Sequence, residues 1–263
     1  MENNTLSQRV KSMLNVDFRR MWKSKLFYIL LACALIMPIL MTVMMNLMDG
    51  SVSVNAQTGL ETVMRGPENA WQNIGTLPGG ENMGGNEVFM MCNINMMFMA
   101  VAIFVCLFIS NDFRSGYAKN LFTVRANRGD YVVSKTITGF VCGTLMLMAY
   151  FVGSVLGGAI ASLSFDLHGL HAGNLVMCML AKIFLMLVFV SIFVLISVAA
   201  KQKAWLSVCG SLGGGMLLFM MVSMITPLNS TFIHVLLCVA GGAMFAFGLG
   251  AISKVILKKT SLV

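Results

Sequence analysis

The sequence predicts an all-α integral membrane protein. Hydrophobic residues make up 58% of the chain and charged residues 11%, against about 25% charged residues in soluble domains. The apolar residues are gathered in six runs, each long enough for the roughly 20-residue helix that crosses a bilayer. The predicted spans cover residues 26–47, 88–110, 136–163, 174–199, 205–226 and 232–257. Residues 26–263 then form one membrane domain, preceded by a separate segment, 1–25.

Segment 1–25 predicts an amphipathic helix that lies along the membrane surface. Its basic residues occupy other faces than its apolar ones, and Thr5 and Gln8 have the spacing of a capping box. Because it has no small-residue cleavage site, the first span is expected to remain as a helix. Whether this helix only anchors the topology or also contacts a partner is left open. Its apolar residues, at helical spacing, are Leu6, Val10, Met13, Leu14, Phe18, Met21 and Trp22.

The distribution of Lys and Arg predicts that both chain termini are cytoplasmic. With the N-terminus inside, all 18 basic residues except Arg65 and Lys182 fall on the cytoplasmic side. This bias and attraction to anionic lipids account for the net charge of +8. We therefore expect membrane lipids as partners and no nucleic acid.

The connection after the first span, residues 48–87, is the longest polar segment. It is rich in glycine and predicts mostly loop, with one short helix that carries Trp71 to the membrane interface. Small-residue pairs at a spacing of one helical turn predict close helix contacts, within the bundle or between protomers. These pairs are Gly139 with Gly143, Gly153 with Gly157, Gly210 with Gly214, and Gly242 with Ala246.

The sequence offers little for catalysis or for a bound cofactor. It contains no GxxxxGK followed by Ser or Thr, so the chain is not expected to bind and hydrolyse ATP in the P-loop manner. Asp166, His168 and His171 are conceivable metal ligands, but their spacing differs from the HExxH helix pattern, and a polar outer loop is favoured. We expect neither an enzyme nor a metal site.

The polar residues and the methionines of the spans are the candidates for lining a substrate path. Lys182 is the charged group inside a span; we expect it to reach outward or pair with Asp166, with substrate binding as the alternative. The 25 methionines favour ordinary packing, with an adaptable apolar path or a Cu(I) site as alternatives. The candidate path residues are Met41, Met45, Asn93, Asn95, Met97, Lys182 and His234.

The cytoplasmic loop 111–135 predicts a short exposed helix between two membrane helices. Ser110, Asn111 and Asp112 are available as N-caps, and Asp130 is a candidate cap for the next helix. Phe113, Tyr117 and Leu121 follow at i, i+4 and i+8, which places them on one helix face.

With this loop the chain resembles the ABC-2 type permeases, the membrane subunits of a class of ATP-binding cassette transporters. These have six helices, both termini inside, a basic amphipathic helix before the first span, and an acidic residue then GTxKxLL…R…K after the second. Tyr117 replaces the usual Thr here, and the likeness covers nearly the whole chain. The matching residues are Asp112, Gly116, Lys119, Leu121, Arg128, Tyr131 and Lys135.

The resemblance implies a coupling helix in this loop that seats in a separate ATPase subunit, with the N-terminal helix alongside. Two permeases, identical or paralogous, and two ATPases would form the transporter, with ATP and Mg bound by the ATPases. Phe113, Tyr117 and Leu121 would dock. Acidic rims or lipid headgroups would meet Arg114, Lys119, Arg125 and Arg128. The alternative is a solvated basic loop that serves topology alone.

The resemblance also implies a multi-pass protein of the bacterial plasma membrane that exports hydrophobic or amphipathic peptides, such as toxins or antimicrobial peptides, or gives immunity to them. Drugs, lipids or copper are alternative cargoes. A stand-alone secondary carrier is disfavoured because the spans lack midplane carboxylates. A membrane enzyme or receptor would need a polar cluster inside the membrane, and the sequence predicts none.

Overall fold

The computed structural model describes residues 6–54, 61–63, 66–75, 93–124, 128–167 and 169–259. These ranges contain eight α-helices, of which all but α1 and α4 are long and apolar enough to cross a membrane. The predicted number of spans and the helical class of the membrane part are thereby confirmed. The helices are α1 Leu6–Lys23, α2 Lys25–Leu47, α3 Met96–Arg114, α4 Tyr117–Val124, α5 Gly129–Ile160, α6 Ala172–Ala200, α7 Ala204–Ile225 and α8 Phe232–Lys259.

Two spanning helices extend beyond their apolar runs. α3 continues to Arg114, so Ser110, Asn111 and Asp112 lie inside it and do not cap the next helix. α5 begins at Gly129 instead of 136 and holds Asp130 in its first turn. The added segments contain polar residues that are buried in the protein, namely Asp112, Asp130, Ser134 and Lys135, so a hydropathy criterion places these segments in a loop although they are helical.

Small residues bring the helices into close contact within one protomer. α2 packs along α5, where a Cβ on Gly153 would lie 2.2 Å from the Leu35 carbonyl oxygen. α6 packs along α8, where a Cβ on Gly242 would lie 3.0 Å from the Phe184 carbonyl oxygen. The predicted contacts at these two glycines are therefore confirmed, because a side chain at either position would force the backbones apart.

The connection after α2 contains a small hairpin, β1 Val52–Val54 with β2 Glu61–Val63, which the sequence did not predict. A 3₁₀ helix, Ala70–Asn73, follows and is capped by Asn69. Trp71 on this helix lies 6.4 Å from the Phe151 ring of α5, centroid to centroid. The short helix that carries Trp71 is confirmed.

The two ends of the bundle differ in character. One end carries α1, α4, the start of α5 and the Lys-rich end of α8, and is called the basic end. The opposite end carries the hairpin, the 3₁₀ helix and the α5–α6 loop, which are joined because the Ala70 N–H donates to the Ser164 carbonyl over 3.0 Å. The candidate functional site lies at the basic end.

Candidate functional site

Four charged side chains from α1, α3 and α5 meet inside the protein at the basic end. The Lys135 Nζ lies 2.7 Å from Asp17 Oδ1 and 2.7 Å from Asp112 Oδ2. The Arg20 guanidinium pairs with Asp112 and lies 3.7 Å from Asp17. Both carboxylates are fully buried. We call Asp17, Arg20, Asp112 and Lys135 the charge cluster; its two positive and two negative charges cancel.

Neighbouring hydroxyl groups and rings complete the charge cluster. Ser134 Oγ donates to Asp17 Oδ2 over 2.6 Å, and the Tyr131 hydroxyl donates to Asp112 Oδ2 over 3.0 Å. The Phe108 ring lies 4.2 Å from the Lys135 Nζ. A buried carboxylate is tolerated only when it is paired and hydrogen-bonded. Each carboxylate here has such a set of partners, so the cluster holds its three helices in one relative position.

Helical periodicity explains why these residues converge. Asp17 lies one turn after Met13 and one turn before Met21, so it sits on the apolar stripe of α1, and both methionines are buried. Tyr131 and Lys135 are likewise one turn apart on α5. This stripe therefore docks on the protein, whereas Trp22 is exposed. Val10, Leu14 and Phe18 are partly buried, and the side chain of Leu6, like residue Thr5, lies outside the described part.

Asp17 is a member of the cluster that sequence reasoning missed. It is the acidic residue within α1, on a helix otherwise rich in Lys and Arg, and it interrupts an apolar stripe. A carboxylate in such a position predicts a buried cation opposite it, because an unpaired buried charge is strongly unfavourable. That signal was present in the sequence.

Helix α4 is attached to the charge cluster through its aromatic side chains. The Arg20 guanidinium lies 4.4 Å from the centroid of the Tyr117 ring, and the Phe122 ring lies 5.3 Å from that of Tyr131. Burial and the charge of Asp17 raise the pKa of the Tyr117 phenol above its usual range, so the phenol is neutral at physiological pH. The apolar face of α4 thus contacts this chain itself.

This placement corrects part of the predicted coupling face. Phe113 belongs to α3 and is buried against Tyr131, 6.3 Å between ring centroids, so it is not available to dock. The Arg128 guanidinium donates to the Leu257 carbonyl and lies over Phe122. Leu121 is partly buried against the core.

The exposed surface around α4 is polar. Lys119, Asn120 and Thr123 are exposed on α4, and Arg114 is exposed at the end of α3. Gly116, between α3 and α4, has a φ of +73°, a left-handed conformation that glycine adopts without strain. Arg125 lies outside the described residues.

A second polar cluster lies at the opposite end, around Lys182. Lys182 is fully buried, and its Nζ donates to Asn95 Oδ1 over 2.8 Å and to Thr226 Oγ1 over 3.0 Å. The Lys182 side chain points to the end opposite the basic end, where Asn95 and Thr226 lie, but it stays buried and does not pair with Asp166, because neutral groups before α3 and after α7 supply its acceptors. The expectation of no polar cluster inside the bundle is wrong.

Of the other candidate path residues, Asn93 adjoins this second cluster through Asn95, whereas Met41 and Met45 lie on a different helix, α2. Met97 is buried in the core, and Met41 and Met45 lie on α2, which packs on α5. Asn93 Oδ1 accepts the Asn95 N–H over 2.9 Å, and His234 Nδ1 accepts the Thr231 N–H over 3.2 Å.

The candidate metal site in the α5–α6 loop also gains no support. Across the described residues, no group of three or more His, Cys, Asp and Glu side chains could hold a metal ion. His168, one of the conceivable ligands, lies outside the described residues, and Asp166 and His171 are exposed.

In the described residues, six helices long and apolar enough to cross a membrane, with two further helices joined at one end, are the architecture of a polytopic membrane protein. The family model described as ABC-2 family transporter protein matches residues 13–218, more than half of the chain, so the chain belongs to this family. Permeases of this family generally work with an ATP-binding cassette ATPase. No curated protein and no solved structure matches the chain.

Proposed function

We propose that this chain is the membrane permease subunit of an ATP-binding cassette exporter and that a separate chain binds and hydrolyses ATP. The supporting observation is the charge cluster, which ties α1 and α4 to the spanning helices α3 and α5. Displacement of a surface helix at the basic end would move two spans, because coupling passes through rigid, packed elements. We assign this end to the cytoplasmic side of a bacterial plasma membrane, and the excess of Lys and Arg there supports that orientation.

The exposed polar face of α4, with Lys119, Asn120 and Thr123, is the surface we assign to the ATPase. Tyr117 and Leu121 keep some exposed area and border this face. Lys119 would meet an acidic rim of the partner, where charge complementarity favours association. Two permease copies, identical or paralogous, would complete the transporter.

The proposed cargo is a hydrophobic or amphipathic peptide. The support is the apolar, methionine-rich composition of the spans, since flexible thioether side chains adapt to varied apolar ligands. Drugs and lipids share this chemistry and serve as the comparison in the cargo assay. Peptides should stimulate the ATPase activity of the reconstituted complex more than drugs or lipids do; equal stimulation would contradict the peptide assignment.

Co-purification tests the permease assignment. The tagged chain, extracted from membranes of its own host, should carry a P-loop ATPase that mass spectrometry identifies by its sequence. Lys119→Glu should reduce the recovered ATPase about tenfold, because it reverses a charge at the proposed interface. Lys258→Glu, at the exposed end of α8, is the matched control. Recovery of no ATPase, or equal recovery with both variants, would contradict the proposal.

A further inference from the structure

A cavity of about 300 Å³ opens at the basic end between the start of α2, the last turns of α3 and the first residue of α7. Its lining includes none of the four residues of the charge cluster, although Phe108 borders both, and none of the exposed α4 residues Lys119, Asn120 and Thr123. Its polar wall is made of Ser24, Ser110, Asn111 and Arg114. Its apolar wall is made of Leu26, Phe104, Leu107, Phe108 and Ala204.

The polar wall presents hydrogen-bond donors and a positive charge. Ser110 is 1% exposed, and among the described residues its hydroxyl has no hydrogen-bond partner. Ser24 is the N-cap residue of α2, yet its hydroxyl makes no capping hydrogen bond and so accepts from none of the first N–H groups of α2. Arg114 is exposed and adds a guanidinium. Among the described residues that line the cavity, none is Asp or Glu.

These groups match an anion, and a phosphate in particular. The N-terminus of a helix carries free N–H groups and a partial positive charge, which together bind phosphate. A guanidinium adds a charge-assisted hydrogen bond. The buried hydroxyl of Ser110 supplies the independent indication, because a buried polar group without a partner is rare in a folded protein.

The apolar wall indicates what the phosphate is attached to. Leu26, Phe104 and Leu107 adjoin the polar wall and belong to α2 and α3, two helices that are apolar and long enough to span a membrane. Inorganic phosphate has no apolar part that could pack against such a wall. We propose that this cavity binds an anionic phospholipid, with its phosphate at Ser24, Ser110 and Arg114 and one acyl chain along the apolar residues.

The site has a structural consequence for α2. The Ser24 N–H donates to the Met21 carbonyl over 3.0 Å, so the cavity adjoins the junction between α1 and α2. A bound headgroup would fix the start of α2 against α3. Anionic lipid should therefore stabilise the chain as well as bind to it, by mass action. The assignment does not depend on an ATPase or on a particular cargo.

Lipid titration of the purified chain in detergent, followed by native mass spectrometry, tests the proposal. The probes are phosphatidylglycerol, phosphatidylcholine and inorganic phosphate. Phosphatidylglycerol should bind about fivefold more tightly than phosphatidylcholine, the factor that one basic residue near the headgroup gives. Arg114→Gln should weaken that binding about tenfold, which corresponds to about 1.4 kcal/mol. Ala204→Phe, which fills the cavity, should abolish it.

Matched variants separate the site from general effects of charge. Lys258→Gln removes an equal charge elsewhere at the basic end, and Ser115→Ala removes an exposed hydroxyl next to Arg114; neither should change the affinity. Ser110→Ala should weaken lipid binding without lowering the melting temperature of the lipid-free chain, because no hydrogen bond is lost. Retained helical circular dichroism checks that each variant is folded.

Four results would overturn the proposal. The first is equal affinity for the two lipids, and the second is an Arg114→Gln variant that binds like Lys258→Gln. The third is displacement of the lipid by an equal concentration of inorganic phosphate, which would assign the site to a free anion. Protection of Arg114 by a second copy of the chain, seen as a dimer that excludes lipid, would also contradict it.

Discussion

Replacement of Lys135 by Met removes the cation that bridges two buried carboxylates. The Lys135 side chain is 1% exposed, and its Nζ makes both 2.7 Å contacts of the charge cluster. Without it, Asp17 keeps only Ser134 and the more distant Arg20 guanidinium within the cluster, and the cluster acquires a net charge of −1. Removal of one partner of a buried ion pair costs about 3–5 kcal/mol. A typical folding free energy is about 5–15 kcal/mol, so we expect a large fall in stability.

Thermal unfolding of the purified chain, followed by circular dichroism, measures this loss. Lys201→Met, at the exposed end of α6, is the control and should change the free energy of unfolding by less than about 0.5 kcal/mol. Adding Asp17→Asn to Lys135→Met restores neutrality and should recover part of the stability. A Lys135→Met variant as stable as the control, or two substitutions whose costs simply add, would refute the reasoning.

Three further substitutions test other parts of the fold. Lys182→Met should lower the free energy of unfolding by no more than about 1–2 kcal/mol, because Lys182 is paired with neutral groups and its loss leaves no buried charge. A cost equal to that of Lys135→Met in the same unfolding assay would contradict this. Gly153→Ala should lower the free energy of unfolding by about 1–3 kcal/mol, because the added methyl group separates α2 from α5. Gly241→Ala is the control and should not destabilise the protein, because a Cβ there meets nothing within 4 Å. Equal melting temperatures for the two variants would contradict this. Gly116→Ala should cost about 1 kcal/mol through its left-handed backbone, and Gly116→Asn less; the reverse order would argue against that backbone conformation.

Hydropathy alone predicted the spanning helices well, because their apolar runs are long and continuous. It failed at the start of α5, where Asp130, Ser134 and Lys135 are polar yet helical. These side chains lie in a helix because partners from α1 and α3 neutralise or hydrogen-bond them. The partners are far apart in sequence, 118 residues for Lys135 and Asp17, so no local pattern pairs them.

The prediction that three apolar residues share one docking face of a helix was wrong for a local reason. Phe113, Tyr117 and Leu121 have helical spacing, but the left-handed φ at Gly116 ends one helix and begins another between them. Phe113 therefore does not share a face with the other two. A glycine inside a short periodic pattern was the available warning. The partners of Lys182 had no such warning, because Asn95 and Thr226 approach it only through the packing of α3, α6 and α7.

The central claim is that the charge cluster transmits motion between the ATPase and the spanning helices. The most direct measurement is the cargo-stimulated ATPase rate of the reconstituted complex with Asp112→Asn, compared with wild type at a temperature where both are folded. Asp112 is buried and away from the exposed face of α4, so the complex should assemble normally. We predict normal assembly with stimulation lost. Normal assembly with wild-type stimulation would contradict the account.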